Sequence, residues 1–261
     1  MSKTALITGA SGGIGYELSR VHAEKGGDLI LVARNKDKMV ELKTEFEEKH
    51  GVKVFIIGKD LSVAGSAREV YEEVKNMGLT VDYLVNNAGF GDYGMFVDSD
   101  WDRQESMINI NITSLAHLTW LYLPEMIRRG SGKILNLAST ASFQPGPTMS
   151  VYFASKAFVL SFSEAINNEV NGSGVTVTAL CPGATQSGFQ AAAAMKDSKL
   201  FEGKDLPTSR EVAEYGYRAM LKGKAVAIYG FKNIVMANAV RFAPRSVVVK
   251  VARKVQAKKY K

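Results

Sequence analysis

Seven short apolar runs, separated by helix-forming stretches, constrain the fold of this chain more than any other feature. In chain order the runs read TALIT, DLILVA, VKVFII, DYLVNN, GKILNLAS, GVTVTALC and KAVAIYG. Segments such as DKMVELKTEFEEKH and SAREVYEEVKNMG lie between them. Nearly continuous apolar strands that alternate with helices are typical of a parallel sheet covered on both faces. The sequence therefore predicts a doubly wound, Rossmann-like α/β fold of about seven strands, with ligands bound beyond the carboxyl ends of the strands.

The length of 261 residues, without an internal repeat or a Pro/Ser-rich linker, favours one large domain. We expect residues 1–230 to form it and residues 231–261 to form a basic helical extension packed on or beside it. No run reaches the roughly 18 apolar residues that span a bilayer. The first strand begins too early to leave room for a signal peptide. Cys181 is the only cysteine, so we expect no internal disulfide, a buried thiol and a cytoplasmic location.

The formal net charge of +7 comes from one end of the chain. Residues 231–261 contain nine Lys or Arg and no acidic residue, which leaves a net charge of −2 on the rest. A nucleic-acid-binding protein usually carries a basic stripe with interleaved aromatic residues, so we expect no nucleic-acid partner. His22, His50 and His117 lack the spacing of metal ligands, and we expect no metal site.

A glycine-rich turn, TGASGGIG, follows the first strand directly and runs into a helix. Glycines allow a tight turn and bring the backbone close to a phosphate, and the helix N-terminus supplies positive potential. The spacing differs from the Gly-x-Gly-x-x-Gly fingerprint of dinucleotide sites, so the turn alone is weak support for one. Its candidate cofactor-binding residues are Gly9, Ser11, Gly13, Ile14 and Gly15.

The second strand ends in Arg34 and Asn35, where enzymes that prefer NAD place an acidic residue for the ribose 2′-hydroxyl. A guanidinium binds a 2′-phosphate, which a carboxylate would repel. The sequence therefore favours NADP(H) over NAD. The alternative is that Arg34 only solvates a strand end.

Two further segments follow the third and fourth strands. Asp60 and Leu61 come after the third strand, where an adenine ring could rest. The fourth strand ends in NNAG, from Asn86 to Gly89, and asparagine is disfavoured in strands. Two adjacent asparagines therefore indicate a hydrogen-bonding role. The candidate cofactor contacts of this segment are Asn87, Ala88 and Gly89.

Tyr152 and Lys156, in the segment SVYFASKAF, stand one helical turn apart and share a helix face. Taken alone, such a pair is usually an ordinary helix pair. A carbonyl that accepts hydride develops negative charge on its oxygen and needs a proton donor. A free tyrosine has a pKa near 10, and a neighbouring ammonium lowers that pKa toward working pH. The pair therefore fits acid/base chemistry beside a nicotinamide.

Six motifs, in this order along the chain, together resemble the short-chain dehydrogenase/reductase family in its short single-domain branch. They are TGASGGIG, NNAG, INITS, LAST, YFASK and CPGATQS, and the resemblance covers roughly residues 3–230. It implies an NADP(H)-dependent enzyme that transfers hydride between the nicotinamide and a small-molecule carbonyl or secondary alcohol. A non-catalytic NADP-binding regulatory or partner protein on the same fold is the alternative.

The resemblance implies a catalytic set of Asn111, Ser139, Tyr152 and Lys156. Asn111 would hold a water that relays protons, and Ser139 would hydrogen-bond the substrate oxygen. Tyr152 would be the acid or base, while Lys156 would bind the nicotinamide ribose and tune Tyr152. The step of thirteen residues from Ser139 to Tyr152 matches the family spacing. Asn109 is a rival for the role of Asn111, which the family register favours.

The segment CPGATQS and the residues after it are assigned through the same resemblance. The nicotinamide contacts that it implies are Pro182, Gly183, Thr185 and Ser187, where the family more often has threonine at the last position. The Ala-rich stretch GFQAAAAMKDSKLFEGKD would form a lid over a hydrophobic substrate, with a plain packed helix as the alternative. The apolar residues of that stretch are Phe189, Met195, Leu200 and Phe201. A homodimer or homotetramer is also implied.

The C-terminal extension has three interpretations that stay open. Val248, Val251 and Val255 would form an apolar stripe on a helix, and Pro244 would separate two helical pieces. The basic residues around the stripe are Lys250, Arg253, Lys254 and Lys258. The helix could pack on its own or a neighbouring subunit. Peripheral contact with an anionic membrane and attraction of an acyl thioester are the two less favoured interpretations.

Overall fold

Seven parallel strands form one central sheet in the computed structural model, which describes residues 2–189 and 206–256. The strands are β1 (Thr4–Thr8), β2 (Asp28–Ala33), β3 (Val54–Gly58), β4 (Tyr83–Asn86), β5 (Gly132–Leu137), β6 (Val175–Cys181) and β7 (Val226–Ile228). They are hydrogen-bonded in the order β3-β2-β1-β4-β5-β6-β7. Each run predicted as a strand forms one, and the doubly wound fold is confirmed.

Helices connect the strands and cover both faces of the sheet. They are α1 (Gly13–Ala23), α2 (Lys36–His50), α3 (Ser66–Asn76), α4 (Trp101–Ile108), α5 (Leu115–Arg128), α6 (Ser150–Glu169), α7 (Ser209–Leu221), α8 (Phe231–Ala239) and α9 (Arg245–Gln256). A π-helical turn at 109–114 joins α4 to α5. Pro244 separates α8 from α9, as the sequence predicts. None of the helices in the described part of the chain is long and apolar enough to cross a membrane.

The two faces of the sheet bury separate apolar layers. Neighbouring residues of a strand point to opposite faces, so Ile7 packs in one layer with Leu18 of α1, while Leu6 packs in the other with Val70 of α3. All four side chains are at most 1% exposed. Burying a side chain of this size stabilises the fold by roughly 1.5–3 kcal/mol. Cover on both faces explains why the runs are continuously apolar instead of alternating.

The strand order reverses between β1 and β4. β1 pairs with β2 on one side and with β4 on the other. The connections that leave these neighbouring strands therefore run to opposite sides, and a crevice opens beyond their carboxyl ends. This arrangement brings TGASGGIG and NNAG to the same crevice.

The paired asparagines of NNAG have different tasks. Asn86 lies opposite Asn136 in the parallel register of β4 and β5, and its Nδ2 donates to Asn136 Oδ1 at 2.9 Å and to Thr119 Oγ1 at 3.1 Å. Asn136 in turn donates to Ser163 Oγ at 2.9 Å. Asn86 thus joins two strands and two helices inside the core. Asn87 is the member that faces the crevice.

Gly174, just before β6, tests how tightly the loops pack. It has a φ of +80°, and an added Cβ would overlap the Gly130 carbonyl oxygen. We expect Gly174→Ala to lower the free energy of unfolding by about 3 kcal/mol or more, because left-handed strain and a backbone clash add. Gly51→Ala is the matched control, since Gly51 has a φ of +66° but open space around it, and should cost about 1 kcal/mol. Urea unfolding of both variants measures the difference, and equal losses would contradict the packing argument.

Candidate active site

The glycine-rich turn is tied to the NNAG segment by a set of short hydrogen bonds. Thr8 Oγ1 accepts from the backbone N–H groups of Asn87 and Ala88, both at 3.0 Å. The Asn87 side chain returns the link by donating from Nδ2 to the Thr8 carbonyl at 2.9 Å. An added Cβ at Gly15 would overlap the carbonyl oxygen of Gly9. The predicted turn residues therefore form a close-packed loop at the floor of the crevice.

The end of β2 lies beside this loop, because Gly9 N donates to Val32 O at 2.8 Å. Arg34 Nη1 stands 3.8 Å from Asp60 Oδ2, and the Arg34 side chain is 77% exposed. Partial burial opposes ionisation of Asp60, but hydrogen bonds from Ser62 and the Arg34 charge hold the pKa of that carboxyl below its usual value. A charged guanidinium is therefore presented to solvent at the strand end.

The neighbours of this pair have structural tasks of their own. Asn35 caps α2 by accepting from the Lys38 N–H at 3.0 Å. Leu61 is buried, and its carbonyl accepts from Ser114 Oγ at 2.6 Å. Neither residue lines the main cavity described below.

Tyr152 and Lys156 lie on the first turns of α6, where the chain enters the helix at the rim of the crevice. Lys156 Nζ donates to the Leu137 carbonyl at 2.6 Å and stands 5.9 Å from the centroid of the Tyr152 ring. The lysine is only 5% exposed, and burial lowers its pKa to about 8. The predicted pair is thus brought together in a site largely removed from water.

The acidity of Tyr152 departs from the sequence-based expectation. The ammonium of Lys156 was expected to lower the pKa of Tyr152 toward working pH. In the structure, burial raises the pKa of Tyr152 to about 12, and the hydrogen bond with Ser139 offsets only part of that rise. Burial dominates because a phenolate that leaves water loses more hydration free energy than one hydrogen bond returns. Tyr152 is therefore held in its neutral, proton-donating form.

Ser139 is placed by the short helical turn 140–143 that follows β5. Its Oγ accepts from the Ala141 N–H at 3.1 Å and so caps that turn. The next residue, Thr140, donates its N–H to the Pro182 carbonyl at 2.9 Å. These bonds join the carboxyl ends of β5 and β6, and they bring Ser139 to Tyr152 across thirteen residues of sequence.

Asn111 sits in the π-helical turn and is 1% exposed. Its Nδ2 donates to the Phe90 carbonyl and to Ser155 Oγ, each at 3.0 Å, while its Oδ1 accepts from the Phe90 N–H at 3.2 Å. A Cβ built at Gly89 would lie 2.6 Å from Asn111 Oδ1 and 3.7 Å from Lys156 Nζ. The structure therefore places Asn111 near Lys156. Its rival Asn109 is the first residue of the π-helical turn and is half-buried.

A cavity of about 630 Å³ joins these parts. Of the residues predicted from the sequence, it is lined by Gly9, Ser11, Gly13, Ile14, Asn87, Ala88, Gly89, Ser139, Tyr152, Lys156, Pro182, Gly183, Thr185 and Ser187. Gly15 and Asn111 stand directly behind this lining, whereas Arg34, Asn35, Asp60 and Leu61 lie off the cavity. The cavity therefore runs from the glycine-rich turn to the Tyr–Lys pair.

The far wall of the cavity is the C-terminal extension, which the sequence analysis did not assign to the site. Its lining residues are Met236, Ala239, Val240, Ala243, Val247, Val248, Val251, Ala252, Val255 and Gln256. Tyr93, beside the Tyr152 cluster, donates its hydroxyl to the Gln256 carbonyl at 2.8 Å and fastens the end of α9. The helical spacing of its valines predicts an apolar face on this helix, but it does not indicate which part of the protein that face packs against.

The predicted stripe of Val248, Val251 and Val255 lies on one helix and lines the cavity. The buried face consists of Val248, Ala252 and Gln256, at 9%, 3% and 3% exposure. Val251 and Val255 line the cavity and stay about half exposed. Positions four residues apart therefore pack on the body, and the stripe of valines borders this buried face. Through this face the helix packs on its own subunit.

Of the predicted lid, the structure describes Gly188 and the aromatic residue Phe189. Its ring lies 5.2 Å from the ring of Tyr152, centroid to centroid. Met195, Leu200 and Phe201 lie outside the described residues. Within residues 2–189 and 206–256 no cluster of histidine, cysteine or acidic side chains could hold a metal ion. Cys181 is fully buried in the core, as predicted.

A doubly wound sheet whose glycine-rich turn shares a cavity with a buried tyrosine and lysine is the arrangement of a nicotinamide-dependent oxidoreductase. Comparison with known proteins agrees. A model of the short chain dehydrogenase family matches residues 3–198, and the chain belongs to that family.

Relatives of known structure or name cover most of the chain. The very-long-chain 3-oxoacyl-CoA reductase of Anas platyrhynchos is 36% identical over 186 residues, or 68% of this chain; the match spans only 58% of that longer protein. A short-chain dehydrogenase from Sphingobium yanoikuyae, solved in complex with NADPH, is 30% identical with a TM-score of 0.84 and covers 98% of this chain and 99% of its own. The bulky-bulky ketone specific alcohol dehydrogenase of Comamonas testosteroni is 28% identical with a TM-score of 0.78, covering 92% of each chain.

Proposed function

We propose that this protein is an NADP(H)-dependent oxidoreductase that transfers hydride between the nicotinamide and the carbonyl or secondary alcohol of an apolar substrate. The observation that carries the proposal is the single cavity that joins the glycine-rich turn to Tyr152. A ligand long enough to reach both ends would present its reactive ring beside the tyrosine.

The residues present fit NADP(H). Gly9 and Gly13 have φ values of +66° and +54°, and both line the cavity, where bare backbone can approach a pyrophosphate. Arg34 would bind the 2′-phosphate, with Asn35, Asp60 and Leu61 around the adenosine. Pro182, Gly183, Thr185 and Ser187 would hold the nicotinamide end. The NADPH bound by the Sphingobium yanoikuyae relative supports this choice of cofactor.

Bound NADPH supplies the hydride, and the side chains of this chain handle the proton. Tyr152 donates a proton to the substrate oxygen, a task suited to its neutral form. Ser139 hydrogen-bonds the same oxygen and stabilises its developing charge. Lys156 holds a positive charge near the phenol of Tyr152 and would bind the ribose of NADP(H). Asn111, whose Oδ1 approaches Gly89 close to Lys156, would hold the water through which the proton is replaced.

The walls of the cavity support an apolar substrate. Phe189, Met149 and Phe153 flank Tyr152, and the C-terminal extension adds valine and alanine side chains. The relatives are named for long acyl chains in one case and for bulky ketones in another, which agrees with such walls. We take residues 1–230 as the unit that performs the chemistry and the extension as the part that completes the substrate wall.

Assembly and location belong to the same proposal. Trp120 on α5 is 63% exposed, and Phe158 stacks on Phe162 at the surface of α6. Exposed aromatic side chains on these two helices support a homodimer or homotetramer formed through them. The single, buried Cys181 is compatible with a cytoplasmic location. The non-catalytic alternative gains no support: Ser139, Tyr152 and Lys156 line one cavity, and Asn111 stands directly behind it at Gly89.

Replacing the proton donor tests the mechanism. We expect Tyr152→Phe to bind NADPH within about twofold of wild type but to reduce kcat for ketones such as acetophenone by about 100- to 10,000-fold, because general acid catalysis is lost. Tyr215→Phe is the matched control, since its hydroxyl bonds to the Ile228 carbonyl away from the cavity. Loss of NADPH absorbance measures turnover. Near-normal turnover by Tyr152→Phe would refute the assignment.

Cofactor choice tests Arg34. We expect NADPH to bind more tightly than NADH, and Arg34→Gln to reduce that preference by about 10- to 100-fold while NADH affinity stays unchanged, because a charge-assisted bond contributes roughly 1.5–3 kcal/mol. Arg68→Gln, at another exposed position near β3, is the control. Fluorescence titration measures both affinities. A preference for NADH in the wild type would overturn the role of Arg34 but leave the oxidoreductase.

The pH dependence of reduction tests the buried pair. Lys156 is protonated below its pKa of about 8, and Tyr152 keeps its proton up to about 12. We therefore expect kcat/KM for ketone reduction to be level below about pH 8 and to fall roughly tenfold per unit above it. Lys156→Arg keeps its charge to higher pH, so its alkaline limb should move upward. An unmoved limb in a folded Lys156→Arg variant would assign the titration to another group.

A further inference from the structure

The exposed apolar side chains of the described chain are concentrated at its C-terminal end. Residues 231–256 make up about a tenth of the described residues but hold nine of the twenty large hydrophobic side chains that stay exposed there. Phe242 is 89% exposed and Phe231 is 79% exposed, more than most other apolar side chains on the surface. We call this surface, formed by α8, α9 and the turn between them, the C-terminal face. Apolar surface of this density indicates a partner.

The charge of the C-terminal face has one sign. Its exposed basic residues are Lys232, Arg241, Arg245, Lys250, Arg253 and Lys254. Residues 231–261 hold no acidic residue, whereas the rest of the chain has a net charge of −2. No ion pair within residues 2–189 and 206–256 involves these six side chains. Their charge is therefore available to a negatively charged partner.

The pattern along α9 is that of a helix lying at an interface. Val248 and Ala252 pack on the body. Val247, Val251 and Val255 follow on the side that lines the cavity, and each is about half exposed. Lys250 and Lys254 lie beyond them. From the body outward, the helix therefore presents buried residues, then half-exposed valines, then basic residues. The half-exposed valines are part of the cavity wall.

Charge decides among the partners that such a face could take. Two copies of the face would bring at least twelve positive charges together without compensation, which opposes a symmetric contact between copies. A nucleic acid would satisfy the charges but leave Phe231 and Phe242 unused. A lipid surface with anionic headgroups satisfies both, because basic side chains meet phosphates while apolar side chains enter the acyl boundary.

We propose that the C-terminal face docks on an anionic lipid bilayer and turns the apolar wall of the active-site cavity toward it. An apolar carbonyl compound dissolved in the bilayer would then reach Tyr152 along Val247, Val251 and Val255 without crossing water. Docking is a property of residues 231–256 and holds whether or not the oxidoreductase assignment is right.

Flotation of the full chain with vesicles tests the proposal. We expect the protein to float with vesicles of phosphatidylcholine and phosphatidylglycerol and to stay behind with phosphatidylcholine alone. The variant Lys250→Gln, Arg253→Gln, Lys254→Gln should bind the anionic vesicles at least tenfold more weakly, since each charge contributes about fivefold. The variant Phe231→Ser, Phe242→Ser should also weaken binding, which separates insertion from charge attraction alone.

Matched controls keep the result specific. Lys25→Gln, Lys53→Gln and Val63→Ser remove exposed basic and apolar side chains from the rest of the surface and should float like the wild type. Thermal unfolding checks that each variant is folded, and NADPH titration reports the cofactor site separately. Failure of the intact protein to float with anionic vesicles would overturn the proposal. Normal flotation of the Phe231→Ser, Phe242→Ser variant would also overturn it. A third contrary result is a wild type that does not float, together with a Phe231→Ser, Phe242→Ser variant whose mass by light scattering is that of a smaller assembly.

Discussion

The hydrogen bonds between Thr8 and Asn87 are the interaction on which the rest of the site depends. β1 and β4 are neighbouring strands, and the segments that follow them run in opposite directions. Their register ends at the pair Ile7 and Val85, so the sheet itself does not hold the residues after that pair together. Thr8 Oγ1 receives two backbone N–H groups from the β4 side and donates to the Val85 carbonyl at 3.3 Å, and the Asn87 amide reaches back to the glycine-rich turn. Thr8 and Asn87 thereby join the segments that follow β1 and β4 at the bottom of the crevice. The cavity lining continues from there through Ala88 and Gly89, and Gly89 lies beside Asn111 and Lys156.

Removal from water sets the protonation of the Tyr152–Lys156 pair. Burial pushes both side chains toward their neutral forms: it raises the pKa of Tyr152 to about 12 and lowers the pKa of Lys156 to about 8. Mutual attraction between a phenolate and an ammonium would shift each pKa the other way. A phenol that keeps its proton can donate it to a carbonyl oxygen, as the reduction of a carbonyl requires. The Leu137 carbonyl and the Ser139 hydroxyl then act as the polar partners that fix each group in place.

The sequence predicted the sheet, the break at Pro244 and the cavity residues that follow β1, β4, β5 and β6, because these depend on local signals. Apolar runs of strand length, a glycine turn after β1 and a Tyr–Lys spacing of one helical turn each act over a few residues.

Two features of the site could not be predicted from the sequence. The pKa of Tyr152 depends on how completely the folded chain excludes water, which a spacing of residues does not encode. The role of α9 as a wall depends on Tyr93, more than 160 residues earlier, which receives the end of the helix through the Gln256 carbonyl. Roles for individual side chains came from family likeness together with chemistry, and they stay predictions.

The π-helical turn at 109–114 carries a consequence for how this region can change. A π turn holds one residue more than a regular helix needs, and one residue corresponds to a rotation of about 100°. α4 and α5 are therefore out of phase with each other, and that offset lets Asn111 point at Phe90 and Ser155 while Leu118 and Tyr122 still reach the core. Exchanging residues here alters only local contacts. Deleting a single one would restore a straight helix and swing either the asparagine or the apolar face away from its partners. The number of residues between α4 and α5, as much as their identity, thus sets where Asn111 points.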